Sequence, residues 1–228
     1  MPSSSVRLFL IVVVAAALTA CSRSPAEHLT ITELVNPALP GSGQPFLTTS
    51  PGGAVYLSWI EQEDESAHRL VLVRLDGDEF QPAGTIAEGS TWFVNWADFP
   101  AVSAVSDSAL IAHYLQKSDD SPYAYHVMLT HSRNGGLSWS NAQRLHTEDS
   151  ATEHGFVSMA AMGDEELQIV WLDGREMTGT VGHDSEASMT LRSAVVDAHG
   201  RIDDRRLIDD RVCDCCQTSV VQVGNSLL

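Results

Sequence analysis

Ser132-Arg133-Asn134-Gly135-Gly136-Leu137-Ser138-Trp139 is the stretch on which the reading of the fold turns. An Asn side chain hydrogen-bonds backbone amides two residues on, and Gly136 supplies the positive φ that closes a tight turn. Ser132 and Ser138 are placed to bond across that turn. Trp139 then returns the chain to a core as a large apolar plug. Nothing in the octet is reactive, so it speaks for an architecture.

Working outward from the octet, the chain repeats. Four segments superimpose when started at Pro45, Pro100, Val157 and Thr218. Seven residues on comes a turn former (Gly52, Asp107, Asp164, Asn225), and ten on an aliphatic (Val55, Leu110, Leu167, Leu228). Fourteen on comes an aromatic, Trp59, Tyr114 or Trp171, in the three copies that reach so far. Each copy reads as strand, tight turn, alternating strand. A second strand pair follows each: Leu70–Leu75 with a turn at Asp76-Gly77-Asp78, Tyr125–Thr130 into the octet, and Thr190–Asp197 with a turn at His199-Gly200. Starts spaced by 55, 57 and 61 residues suit four-stranded antiparallel units joined by long loops. Independent hairpins would not put an aromatic at one place in every copy.

The pattern Ser-x-Asn-x-Gly-x-Ser-Trp resembles the Asp-box of sialidase-type (BNR repeat) β-propellers, with Asn for the usual Asp. The resemblance covers most of 43–228 and implies an all-β propeller with the box between outer strands of a blade. On that register the chain makes about three blades plus the start of a fourth, and it is expected to be a fragment of a longer product.

The first twenty residues stand apart. Arg7, the apolar run Leu8–Leu18, then Leu18-Thr19-Ala20-Cys21 read as a charged n-region, a short h-region and small residues before a cysteine. This resembles a bacterial lipobox, which implies lipidation at Cys21 and an envelope location, periplasm-facing or at the cell surface; a plain secretory signal is the alternative. Residues 21–42 then serve as a Ser/Pro/Thr-rich tether with an initial β segment, and 43–228 form the partial propeller. The formal charge of -17 becomes -18 without Arg7. With no Lys/Arg cluster, such acidity excludes nucleic acid and bare anionic membranes as partners. Membrane contact is expected through the lipid alone.

Three stretches are candidates for chemistry. Val212-Cys213-Asp214-Cys215-Cys216 carries three of the chain's four cysteines. Adjacent α-carbons lie about 3.8 Å apart, below the usual disulfide range of about 4.4–6.8 Å, so a Cys215–Cys216 bridge would be strained. Cys213 and Cys216 permit an easier bridge with Cys215 buried. Alternatively the thiolates bind Cu or Zn together with His154, which shares the ring position of Cys215. In Thr91-Trp-Phe-Val-Asn-Trp-Ala-Asp-Phe-Pro100, Trp92 and Trp96 bracket Asn95 near Asp98, the platform and polar partners that a glycan needs, unless both indoles pack between blades. Asp173 and Arg175 form a rim ion pair or face a ligand. His113 reads as a packed strand residue, and His126 and His131 as surface.

Sialidases use an arginine triad on the substrate carboxylate, a Tyr nucleophile backed by Glu, and an Asp acid/base. By that resemblance Asp98 is a weak candidate for the acid/base, and Arg175 and Arg211 supply at best two clamp members. Pro45-Phe46-Leu47 lacks the arginine expected in the first blade, and the Tyr/Glu pair is expected in the missing blades. The residues therefore favour an envelope lipoprotein that binds a glycan-type small ligand or a metal at the channel mouth. An exo-sialidase completed by further blades is the alternative, and a scaffold with neither site a third.

Overall fold

Alternating burial sets the strands, and turn residues space them. The computed structural model describes residues 30–64, 66–163, 165–177, 187–224 and 226–228. Two compact units are present, Met1–Leu34 and Val35–Leu228. In the first, residues 30–34 are described and have no regular structure. The signal segment with Cys21, the turn residues Asp164 and Asn225, and the loop holding His183 lie outside the described residues.

The second unit consists of three antiparallel meanders and a hairpin. Sheet one is β1 (Gly43–Thr49), β2 (Val55–Gln62), β3 (His68–Asp76) and β4 (Glu79–Gly89). Sheet two is β5 (Ala101–Ala104), β6 (Leu110–Lys117), β7 (Tyr125–Ser132) and β8 (Gln143–Arg144). Sheet three is β9 (His154–Gly163), β10 (Glu166–Asp173), β11 (Met189–Asp197) and β12 (Ile202–Val212). The hairpin β13 (Gln222–Val223) and β14 (Ser226–Leu227) opens the fourth copy. Among the described residues the only helical piece is the 3-10 turn Arg175–Met177. The first three copies share the expected register (Thr49↔Val55, Ala104↔Leu110, Ala161↔Leu167), whereas the fourth, whose start Thr218 lies in no strand, pairs Gln222 with Leu227, one residue short of it.

Cores lie between successive sheets. Tyr56, Leu70 and Leu72 of sheet one meet Val102, Leu110 and Tyr114 of sheet two. Ile111, Val127 and Leu129 of sheet two meet Leu167, Ile169 and Trp171 of sheet three. Trp92 belongs to the first of these cores, 6% exposed and stacked 4.7 Å from Tyr114. Removing such an indole costs about 3–5 kcal/mol, so its place is structural and not in a ligand site. The exposed outer strand β12 alternates Asp203, Asp204, Arg205, Arg206, Asp209 and Arg211, charges that discourage edge pairing.

The octet sits between β7 and β8. Asn134 reaches further than two residues: its Oδ1 accepts from Ser138 N–H (3.0 Å) and its Nδ2 donates to Ser138 Oγ (2.9 Å). Ser132 Oγ donates to Asn134 Oδ1 (2.9 Å) and accepts from Gly136 N–H (2.9 Å), so the two serines are joined through Asn134 and not directly. Trp139 Nε1 donates to Gly136 O (3.0 Å). The φ of 90° favours glycine at 136, and a Cβ there would also press on the end of the Leu72 side chain of sheet one, 2.4 Å away.

Candidate functional site

The loop before β5 and the loop before β9 meet at one end of sheet two. Asn95 Oδ1 accepts from the Ala97 N–H (2.7 Å), an Asx turn that presents Asp98. Asp98 is 2% exposed; its Oδ1 accepts from Phe156 N–H (2.8 Å). Phe156 takes a left-handed φ of 50° to make that bond, and a Cβ on the preceding Gly155 would collide with Asp98 Oδ2 at 1.9 Å. Strain and glycine together hold the carboxyl in place.

Tyr125, the first residue of β7, bridges Asp98 and Glu153. Its hydroxyl lies 2.9 Å from Asp98 Oδ2 and 2.7 Å from Glu153 Oε1. A phenol has one hydrogen to donate, so the second contact needs a proton from a carboxyl. Burial raises Asp98 to about 7, against the lowering effect of the Phe156 and Tyr125 bonds. Burial also raises Glu153, with Tyr125 opposing and Asp214 adding. The Tyr125 phenol is raised too, by burial and then by the carboxylates of Asp98 and Glu153, and stays protonated. At neutral pH the three groups thus share a proton. The phenol ties the two carboxyls to each other.

This triad floors a cavity of about 460 Å³. Phe93 stacks 4.0 Å from the Tyr125 ring, while Trp96 (84% exposed) and Tyr123 (62% exposed) stand at the rim with Asp214 and Cys215. Open aromatic faces beside fixed polar groups suit a sugar ring. Of the sequence candidates, Asn95, Trp96, Asp98 and Cys215 meet here. Tyr123, Tyr125 and Glu153 were missed: Tyr125 reads as an ordinary strand residue, and only pairing across two blades reveals its partners.

A second cluster lies nearby in the chain but is formed differently. Asp173, at the end of β10, is fully buried. Arg175 grips it with Nε (2.6 Å) and Nη2 (2.7 Å), and Trp171 Nε1 donates to it (2.8 Å). Burial alone would raise this carboxyl; the Arg175 bonds, His154 and Trp171 outweigh it and hold it at about 2. Sheet one repeats the device, with Trp59 Nε1 donating to Glu61 (3.1 Å) and Arg69 paired to Glu61 (2.8 Å). Arg175 is therefore committed to Asp173, and Arg211 lies on the exposed outer strand, away from the cavity lining. No clamp of these two arginines is assembled over Asp98.

His154 sits with Asp173, Glu148, His146 and His126, not with the cysteines. That overturns the expected shared Cys/His site. His126 is correspondingly half-buried instead of being a surface residue, and His131 is half-buried against Gly200. His113 is fully buried, as read. Cys213, Cys215 and Cys216 are free and exposed, which corrects the buried Cys215 of the disulfide reading. Their sulfurs converge, Cys213 lying 3.4 Å from Cys215 and 3.0 Å from Cys216.

No family model matches the chain, and no curated protein does. Solved structures do. An α-L-arabinanase of Penicillium chrysogenum complexed with arabinobiose aligns with TM-score 0.55 and 18% identity, over 80% of this chain and 56% of that one. An α-L-arabinofuranosidase of Fusarium graminearum with an iminosugar inhibitor aligns with TM-score 0.54 and 15% identity, over 80% and 56%. The GH93 α-L-arabinofuranosidase of the same fungus with arabinobiose gives 0.52 and 14%, over 79% and 55%. The fold is a β-propeller. The chain spans just over half the length of these structures, and at such identity the likeness concerns the fold alone.

Proposed function

We propose that this chain binds a neutral saccharide in the cavity above Asp98, Tyr125 and Glu153. The observation that carries the reading is that triad on the floor of an open cavity, with Trp96 and Tyr123 exposed at its rim. Three carboxyl groups line the cavity (Asp98, Glu153, Asp214) and no arginine or lysine does. An anionic sugar such as a sialic acid would meet like charge there, so a neutral glycan is the better fit. The arabinobiose bound by two of the structural neighbours is a neutral sugar, in keeping with this choice.

Hydrolysis is the second reading, favoured by a pair of carboxyls, Asp98 and Glu153, with raised proton affinity at the cavity floor. In it Glu153, the half-exposed member, touches the glycosidic oxygen, and Tyr125 and Asp98 position it. The test is calorimetric titration with neutral oligosaccharides and with a sialylated one. Neutral ligands should bind, and Trp96→Ala should weaken them at least tenfold, about 1.4 kcal/mol. Where turnover is seen, Glu153→Gln should abolish it and spare binding. Preference for the sialylated ligand, or an unchanged Trp96→Ala, contradicts the proposal.

The anchor belongs to the same reading. Lipidation at Cys21 would place the propeller at a bacterial envelope, since an acidic surface has little affinity of its own for anionic membranes. Cys21→Ser should move the protein from the membrane fraction to the soluble one; an unchanged distribution ends that part.

A further inference from the structure

We propose that His146, His154, Glu148 and His126 form a binding site for one divalent transition-metal ion of the zinc type, separate from the saccharide cavity and from the cysteines. The four come from the start of β7, the loop after β8 and the start of β9, so the fold and not local sequence assembles them. His126, His146 and His154 offer nitrogens within 4.8 Å of one another, and Glu148, His154 and Asp173 form an overlapping set on the same scale. Two zinc–nitrogen bonds of about 2.0–2.1 Å at a tetrahedral angle put donors roughly 3.3 Å apart, so binding draws the nitrogens together and tilts the His146 and His154 rings, now stacked at 3.9 Å, toward one point.

The hydrogen-bond count carries the argument. His154 Nδ1 lies 3.1 Å from the carbonyl oxygens of Tyr125 and Thr152. Carbonyls only accept, so Nδ1 carries hydrogen, and the neutral ring turns its Nε2 lone pair to Glu148 Oε1, in close contact, and to Asp173 Oδ1 at 3.7 Å. A lone pair facing two carboxylates needs a cation between them. His146 repeats the pattern: its Nδ1 lies 3.2 Å from the Glu148 carbonyl and its Nε2 is buried without a partner. His154 Nε2, Glu148 Oε1 and His126 Nδ1 are also buried with no hydrogen bond. A proton on His154 would answer one contact and leave His146 Nε2 unmet, whereas a metal ion answers His154 Nε2, Glu148 Oε1 and His146 Nε2 together.

The surroundings support a cation that binds neutral imidazole. The carbonyls on His154 Nδ1 are the outer-shell partners that orient a metal-bound histidine. Arg144 Nη1 donates to His126 Nε2 (3.3 Å), which places the hydrogen of that ring on Nδ1; His126 joins the ion by giving up this bond, and Arg144 keeps its pair with Asp149. Asp173 is occupied by Arg175 and Trp171 and stays in the outer shell. Nitrogen donors with one carboxylate suit zinc and its neighbours better than Mg²⁺ or Ca²⁺.

The experiment uses the chain with Cys213→Ser, Cys215→Ser and Cys216→Ser together, so that thiolates contribute nothing. Zinc titration and elemental analysis after dialysis should find one ion per chain and a raised Tm. His146→Ala and, at a more open position, His126→Gln should each weaken binding at least tenfold. Cobalt in place of zinc should give d–d bands of a nitrogen and oxygen shell with no thiolate charge-transfer band, a readout that needs no histidine variant to fold. Absence of zinc from the triple-serine chain, or binding untouched by both histidine changes, overturns the site.

Discussion

At Asp98 a carboxyl is packed under a backbone amide and a phenol, and its charge has nowhere favourable to go. Its value of about 7 in the folded chain stands above the ordinary 3.8. A carboxyl raised in this way favours folding in its protonated form. The contribution is complete below the unfolded value, and it declines as pH rises from about 4 to about 7. Each unit of difference corresponds to about 1.4 kcal/mol, so a few kcal/mol are at stake. Asp98→Asn keeps the shape and the acceptor for Phe156 N–H but cannot ionise. Wild type should therefore lose stability relative to Asp98→Asn as pH rises through that window, measured by denaturant unfolding at pH 4.5, 6 and 7.5. A difference independent of pH would mean that Asp98 is not held protonated. Asp173 runs the other way: held at about 2, it stabilises above the ordinary carboxylate range and loses that contribution only in strong acid.

At the scale of elements, the strands were legible because turn formers and aromatics recur at fixed offsets, which needs no knowledge of what packs on what. The octet was legible for the same reason, being a local hydrogen-bonded device. The site was only half legible. Asn95, Trp96 and Asp98 stand in one stretch, and an Asx turn beside aromatics can be read there. Trp92 stands in the same stretch yet turns inward, because residues 91–93 pair alongside the end of β6, with Phe93 N–H donating to Leu115 O (3.0 Å). Tyr125, Glu153, His146 and Glu148 carry no local mark; what makes them neighbours is the stacking of sheet three on sheet two. Equivalent strand entries of successive copies do meet, since Asp98, Glu153 and Cys215 line one cavity, but His154 is not among them. Its ring turns toward the loop after β8, while the cysteines lie beyond β12, out on the surface.

For the whole molecule, the stacked meanders put loops from different blades side by side, and the saccharide cavity lies where two such loops meet. The groove along β10, β11 and β12, of about 520 Å³, mixes aliphatic residues such as Leu227 and Leu228 with Gln168, Asp204 and Arg206 and has no aromatic lining. The cavity above Asp98, with Trp96 and Tyr123 at its rim, is therefore the better place for a sugar ring. The direct measurement is a crystal structure of the chain soaked with a neutral oligosaccharide that it binds in solution. The account predicts a sugar ring stacked on Trp96 or Tyr123, with a hydroxyl or glycosidic oxygen within hydrogen-bond distance of Glu153. A sugar bound elsewhere, with the cavity above Asp98 holding only solvent, would contradict it.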